Sequence, residues 1–448
     1  MSNEYDRRDF LKLSATVGTG LALGGAALSG CTNPPRALST FPPEIKAAPI
    51  DTLRMGFVGV GGMGSTHVKN FLNIEAVRIC AVCDIVEEKV ARVQRWVQEA
   101  GQPKPTGYSR SETDFKQMCE QEDLDLVFNA TPWRWHVPVC LAAMNAGKHA
   151  ATEVPAAVTI DECWQLVETS EKTRRYCVMM ENCCYDRTEL MSLNMVRKGL
   201  LGELLHAECG YLHDLRGLKF SSKGEGLWRL AHSINRNGDL YPTHGLGPVA
   251  QCMNINRGNQ FDYLVSMGGK SRGLNLFAAD KFGQNSPQAK QKYALSDVVT
   301  TLICTKNGQT IVLKHDTDSP RPYSRDILIQ GTNGIVRKYP QEKIHIQTRS
   351  PKHKWEPLEN YADEYEHRFW KDLGQMAKGK GHGGMDYIED YRLVKCLREG
   401  SPPDMDVYDA AAWSVVSELS ERSIAGKSRL IHFPDFTRGM WKTRKPAF

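Results

Sequence analysis

A chain of 448 residues can bury two full domain cores, and 41% hydrophobic, 8% aromatic and 24% charged residues are ordinary for a globular protein. The net charge of +5 is small for this length and is gathered into no long basic block, which argues against nucleic acid as a partner. Beyond the N-terminus no apolar run is long enough to read as a membrane-spanning helix.

The first 31 residues read as a targeting segment. Arg7-Arg8-Asp9-Phe10-Leu11-Lys12 is a twin-arginine pattern, a Gly/Ala-rich apolar stretch follows, and Leu28-Ser29-Gly30-Cys31 has the form of a bacterial lipoprotein signal. The expectation is export by the twin-arginine route, to the periplasm or to a membrane-attached state with Cys31 as a lipid anchor. Residues 32–52, rich in proline, read as a linker. Thirteen cysteines sit awkwardly with export, but most fall in apolar runs and read as small buried hydrophobes. Cys80-x-x-Cys83 lies in a strand-like run that would turn the two thiols to opposite faces.

The chain is organised around Met55 to Asp84. A short apolar run enters a turn with Gly59, Gly61 and Gly64 in G-x-G-x-x-G spacing; a helix-like segment and a second apolar run follow, ending at Asp84. Strand, turn, helix and strand with a terminal acid read as a dinucleotide site. The first glycine allows the turn, the second lets backbone approach a pyrophosphate, and the third lets helix pack on strand. Asp84 can accept hydrogen bonds from ribose hydroxyls and would repel a 2′-phosphate, so the expected cofactor is NAD. Further strands are expected at 124–129, 149–153 and 177–181, with helices at 86–100, 137–146 and from a Thr159-x-x-Glu162 capping box to 173. This is an α/β pattern: a Rossmann-type doubly wound parallel sheet over 53–182.

Past Asp186 the alternation stops. A helix at 187–198 precedes strands at 204–212, 261–267, 298–305, 310–314 and 326–330, with Asn-Gly hairpin signals at Asn307-Gly308 and Asn333-Gly334. Helices are expected near 361–378, 386–398 and 409–425. Residues 183–448 therefore read as an α+β domain with a mostly antiparallel sheet. Within it, 217–248 is poor in core-forming residues and rich in Trp, Arg, Asn, Tyr and His, as suits a sugar-binding loop, with Tyr241 and His244 just ahead of a helix-like run from Val249. No H-E-x-x-H, paired Cys/His set or G-x-S-x-G elbow is present, so no metal is expected.

Residues 55–182 resemble the Gfo/Idh/MocA oxidoreductase superfamily, which pairs a Rossmann domain with an open-faced α/β domain. Where that family shows Glu-Lys-Pro, this chain has Glu153-Val154-Pro155; where it shows an aspartate four residues before its histidine, this chain has Leu240 before His244, with Asp239 one residue off. Both departures agree with glycoside hydrolase family 109, typified by α-N-acetylgalactosaminidase, which the whole mature chain resembles through ATEVPAA, MENCCYDR and LWRLAHSINRNGDLYPTHGLGP. That resemblance implies NAD contacts at Met63, Gly64, Asp84, Trp133, Arg134, Trp135, His136, Glu153, Val154 and Asn182. It implies sugar contacts at Tyr211, Arg229, Tyr241, Pro242, Thr243, His244 and Tyr323, and His244 and Tyr241 as the proton-transfer pair. The implied reaction is redox-neutral: oxidation at C3, elimination of the glycosidic oxygen, hydration and re-reduction, on a glycan or small glycoside. Two alternatives stand beside it: a sugar or cyclitol dehydrogenase with net oxidation, and a non-catalytic sugar-binding protein. Analogy with the superfamily adds a homo-oligomer.

Overall fold

Strand β1 (Leu53–Val58) is apolar on both faces, with Leu53, Met55, Phe57 and Val58 all buried, and a strand of that kind needs cover on both sides. It finds it in the middle of a six-stranded parallel sheet ordered β3-β2-β1-β4-β5-β6. The partners are β2 (Val77–Cys83), β3 (Thr106–Tyr108), β4 (Leu126–Asn129), β5 (His149–Thr152) and β6 (Cys177–Met179). The computed structural model describes residues 45–446; the expected leader, Cys31 and the linker as far as residue 44 lie outside the described residues. Five strands stand where the apolar runs predict them. The sixth, β3, is a three-residue edge strand with two exposed positions, too short and polar to leave a signal. The capping box is formed: Thr159 Oγ1 accepts the Glu162 N–H at 3.1 Å, and Glu162 Oε2 accepts the Thr159 N–H at 3.1 Å, opening helix Ile160–Thr173.

The second sheet has nine strands in the order β14-β13-β12-β11-β7-β10-β9-β8-β15, with β8 spanning Phe261–Gly268. Its centre is β7 (Leu204–Leu212), parallel to β10 (Thr310–Asp316) and antiparallel to β11 (Leu328–Gly331); every other pairing is antiparallel. Both Asn-Gly signals mark hairpins, one between β9 (Val299–Thr305) and β10, the other between β11 and β12 (Gly334–Arg337). Strands β12, β13 (Lys343–Ile346), β14 (Glu356–Pro357) and β15 (Ile431–His432) are additions to the expected set, each at most four residues long.

Two corrections concern residues 217–248. Helix Gly226–Asn235 occupies the middle of the expected sugar-binding loop, and the next helix runs Thr243–Cys252, beginning six residues before Val249. Pro248 inside that helix and Gly245 and Gly247 beside it mask its period. The glycines are there for space: a Cβ on Gly245 would stand 2.4 Å from the Gly210 nitrogen on β7.

The C-terminal helices do not stay with the second sheet. Helix Met385–Glu399 packs against helix Gly62–Phe71, and helix Val407–Ser414 against helix Ile160–Thr173. One continuous apolar core, from Phe57 through Leu246 to Trp413, underlies both sheets. Among the described residues all twelve cysteines are free and ten are buried, and no helix is long and apolar enough to cross a membrane.

Candidate active site

The residues expected on the cofactor gather at the carboxyl ends of the parallel strands, where the chain reverses from β1 to β4. Gly59 has φ +81°, and a Cβ there would meet the Ala130 carbonyl oxygen at 2.7 Å; a Cβ on Gly64 would lie 2.0 Å from the Gly59 carbonyl oxygen. Gly61 differs: the nearest atom to a Cβ there is Lys89 Nζ at 3.9 Å. No side chain caps helix Gly62–Phe71, which Met63 and Gly64 open. A tight turn, a close approach and a free helix N-terminus fit a pyrophosphate. Asp84, at the end of β2, braces this turn, Oδ2 accepting the Val60 N–H and Oδ1 the Val86 N–H, each at 2.9 Å. Lys89 Nζ lies 3.6 Å from Oδ1, a cation beside the turn that motif reading did not single out.

Trp133, Arg134 and Trp135 form a short turn after β4, and His136 opens helix His136–Asn145. Their side chains part ways. Trp133 is buried against Trp228, His232 and Tyr241, Arg134 pairs with exposed Glu112 at 2.6 Å, and Trp135 stacks edge-on against Phe115. His136 is buried, its two ring nitrogens 2.8 Å from the carbonyl oxygens of Pro155 and Thr131, so it ties the β4 and β5 loops together. Glu153 and Val154 follow β5, and Asn182 begins the turn after β6.

The residues expected on the sugar converge beside Trp133. Tyr211, at the end of β7, has its ring 4.5 Å from that of Tyr241, 5.5 Å from that of His244 and 6.3 Å from that of Tyr323. Tyr241 lies against Trp133 with ring centroids 5.7 Å apart. Arg229, buried on helix Gly226–Asn235, holds its guanidinium 5.1 Å from the rings of Trp133, Trp228 and Tyr241, and pairs with Glu225. Pro242 and Thr243 turn the chain into the helix that carries His244. Tyr323 is the exposed member, at 38%. Aromatic faces with one buried cation suit the C–H face and hydroxyls of a sugar ring. Burial holds both phenols protonated: that of Tyr211 is pushed up to about 12, and that of Tyr241 well above its ordinary value. Tyr211 is bonded to His213 Nδ1 at 3.0 Å; burial, then Arg229 and His244 nearby, lower His213, so its neutral ring can accept the phenol proton.

The pivotal contact is one that sequence reasoning missed. His244 Nδ1 lies 2.7 Å from Oε1 of Glu181, which is fully buried just past β6. The same oxygen accepts the Cys183 N–H at 3.1 Å. Burial alone would raise the Glu181 carboxyl; the adjacent His244 outweighs it and holds the group below the ordinary carboxylate range. Leu240, at the position of the superfamily's aspartate, is a buried core residue. Asp239 is turned away, Oδ1 accepting the Tyr241 N–H at 3.3 Å, and burial pushes its carboxyl up to about 7. The carboxylate partner of His244 thus comes from a different element, 63 residues upstream. Ligand-type atoms of Glu181, Cys183 and His244 lie within 4.8 Å of one another. Burial lifts the Cys183 thiol well above its ordinary value, which keeps it a thiol.

Comparison with known proteins gives a consistent answer. Residues 185–443 match the glycosyl hydrolase 109 C-terminal domain family, and residues 53–181 match an oxidoreductase family with an NAD-binding Rossmann fold. The chain is 47% identical to a glycosyl hydrolase family 109 protein of Solibacter usitatus, over 99% of this chain and 100% of that one. It is 44% identical to an α-N-acetylgalactosaminidase of Shewanella oneidensis, over 98% of each. Among solved structures, levoglucosan dehydrogenase in complex with NADH aligns with a TM-score of 0.67 at 18% identity, covering 86% of this chain and 100% of that chain. Scyllo-inositol dehydrogenase from Lactobacillus casei, with NAD(H) and scyllo-inositol bound, aligns with a TM-score of 0.60 at 15% identity, covering 85% and 99%. The likeness to the two dehydrogenases is one of fold.

Proposed function

Because this chain belongs to glycoside hydrolase family 109, with an NAD-binding Rossmann domain, we propose that it hydrolyses terminal α-linked N-acetylgalactosamine or a related α-glycoside by a redox-neutral cycle. The observation that carries the reading is the contact of Trp133, expected on the cofactor, with Tyr241, expected on the sugar. Nucleotide crevice and proton-transfer groups share one wall.

Bound NAD supplies the acceptor for the hydride of the sugar's C3 and, reduced, the donor that restores it. With C3 a ketone, the C2 hydrogen is acidic. His244 is the base for that proton: its Nδ1–H is held by Glu181 Oε1, which leaves the Nε2 lone pair for the substrate. Glu181 is a positioning residue that also stabilises the imidazolium formed. The buried phenol of Tyr241, held protonated, is the donor for the glycosidic oxygen as it leaves C1. Water then adds at C1 of the enone, giving one proton back to the Tyr241 oxygen as His244 returns the other proton to C2, so both groups are restored. Arg229, over three aromatic rings, orients the sugar. A cycle that regenerates its cofactor needs no outside supply, and this suits the exported destination that Arg7-Arg8 and Cys31 suggest.

The test uses purified protein and p-nitrophenyl α-N-acetylgalactosaminide, with nitrophenol and NADH absorbance both followed. Nitrophenol release without added NAD and without net NADH is expected. NADH accumulating from free sugars with no nitrophenol would instead make the protein a dehydrogenase.

A further inference from the structure

The cycle above gives no task to the buried charged cluster around His67. His67, on the helix that follows the glycine turn, donates from Nε2 to Glu153 Oε1 at 2.8 Å and from Nδ1 to Asp390 Oδ1 at 2.8 Å. Asn70 donates to the second Asp390 oxygen at 2.9 Å. Asp386, one turn before Asp390, accepts from Asn182 at 2.7 Å and lies 2.8 Å from His382 Nδ1. Glu389, beside Asp390 in sequence and buried, faces this group with neither carboxylate oxygen bonded. The side chains of His67 and Asp390 are 1% and 0% exposed; Glu153, at 15%, is the end of the row that opens on the crevice.

Four carboxyl groups, three of them buried, against the buried imidazole of His67 and the half-exposed one of His382 is an arrangement that takes up protons readily. Burial raises Asp390 to about 6 and Glu389 well above the usual carboxylate range, while the two carboxylates flanking His67 overcome its own burial and hold it charged. At rest the row reads carboxylate, imidazolium, carboxylate, with one net negative charge.

We propose that Glu153, His67 and Asp390 form a proton relay that takes the hydroxyl proton released when the sugar's C3 alcohol is oxidised and returns it on re-reduction. The inference rests on the redox-neutral reading. As the hydride leaves C3 with two electrons, the C–O bond becomes a carbonyl and the O–H proton must leave the oxygen. It enters at Glu153 Oε2. With Glu153 neutral, the imidazolium loses one of its two counter-charges, and its Nδ1 proton crosses to Asp390 Oδ1. The result is a row of three neutral groups, which a desolvated interior favours. The reverse transfers give the proton back when hydride returns to C3, so nothing is exchanged with solvent.

Asp390→Asn tests this, because the amide keeps the size and an acceptor for His67 but cannot take the proton. The holoenzyme is mixed rapidly with p-nitrophenyl α-N-acetylgalactosaminide, and the transient NADH absorbance is followed, with bound NAD measured after denaturing extraction. The expected result is full NAD content with NADH formation slowed roughly 10²-fold, the scale of a lost proton-transfer group, and the same slowing in His67→Gln. An unchanged transient in an Asp390→Asn protein that keeps its NAD would overturn the relay. Loss of NAD from that variant would also overturn it, reducing the row to a cofactor brace. If the parent itself shows neither nitrophenol nor an NADH transient, the redox-neutral reading fails and the relay with it.

Discussion

Glu181 holds the His244 ring in one orientation. His244 lies in the first turn of helix Thr243–Cys252, and the buried carboxylate 2.7 Å from its Nδ1 orients the ring. Glu181→Gln should therefore lower kcat by roughly 10²-fold while KM and bound NAD stay near the parent values. Steady-state kinetics alongside NAD extraction checks this, and a fall in NAD content equal to the fall in kcat would refute the positioning role. At this scale the sequence was legible for residues that carry their chemistry in their type: Arg229, Tyr241 and His244 do come together, joined by Tyr211, which only the family resemblance pointed to. It was not legible for Glu181 or His67, because each acts through a partner distant in sequence, although both lie in stretches the sequence singles out. Leu240 explains the confusion at the superfamily's acid position: Asp239, one residue off, points away from His244.

At the scale of elements, the glycine turn separates two demands that its motif runs together. Gly64 is needed by the fold, because a Cβ there would stand 2.0 Å from the Gly59 carbonyl oxygen; at Gly61 the nearest atom to a Cβ is 3.9 Å away, and we propose that this position is kept small for the cofactor. Gly64→Ala should lower the Tm by several degrees, as a loss of about 1–3 kcal/mol does. Gly61→Ala should leave the Tm of NAD-free protein unchanged yet abolish retention of NAD. Thermal scans on both variants, with NAD content measured, decide it; equal losses of Tm would show that the two positions do one job. The parallel sheet was readable because each strand is a bounded apolar run, and the hairpins because Asn-Gly names its turn. Helix Gly226–Asn235 was obscured because what it buries is Arg229 and Ser233, with Trp228 and His232 turned toward Trp133, while Leu227 is exposed.

For the molecule as a whole, we propose export with the cofactor already in place, and the leader is where that is tested. Replacing Arg7 and Arg8 together by Lys should leave the protein in the cytoplasm with normal activity, and Cys31→Ser should move it from the membrane fraction to the soluble periplasm. Fractionation and immunoblotting read both, and an unchanged distribution of the arginine variant would refute the twin-arginine route. Fold class was legible at this scale. The return of helix Met385–Glu399 to the nucleotide domain was not, since a helix's apolar face does not say which neighbour it will meet. That return spans 323 residues between His67 and Asp390. It also sets an order in time. A ribosome that has released residues 53–182 has made every glycine and strand of the nucleotide fold, but the carboxylate that completes the His67 row is still unmade. Completion of that row is therefore a late event in the life of the chain, coming only after the whole parallel sheet has been made.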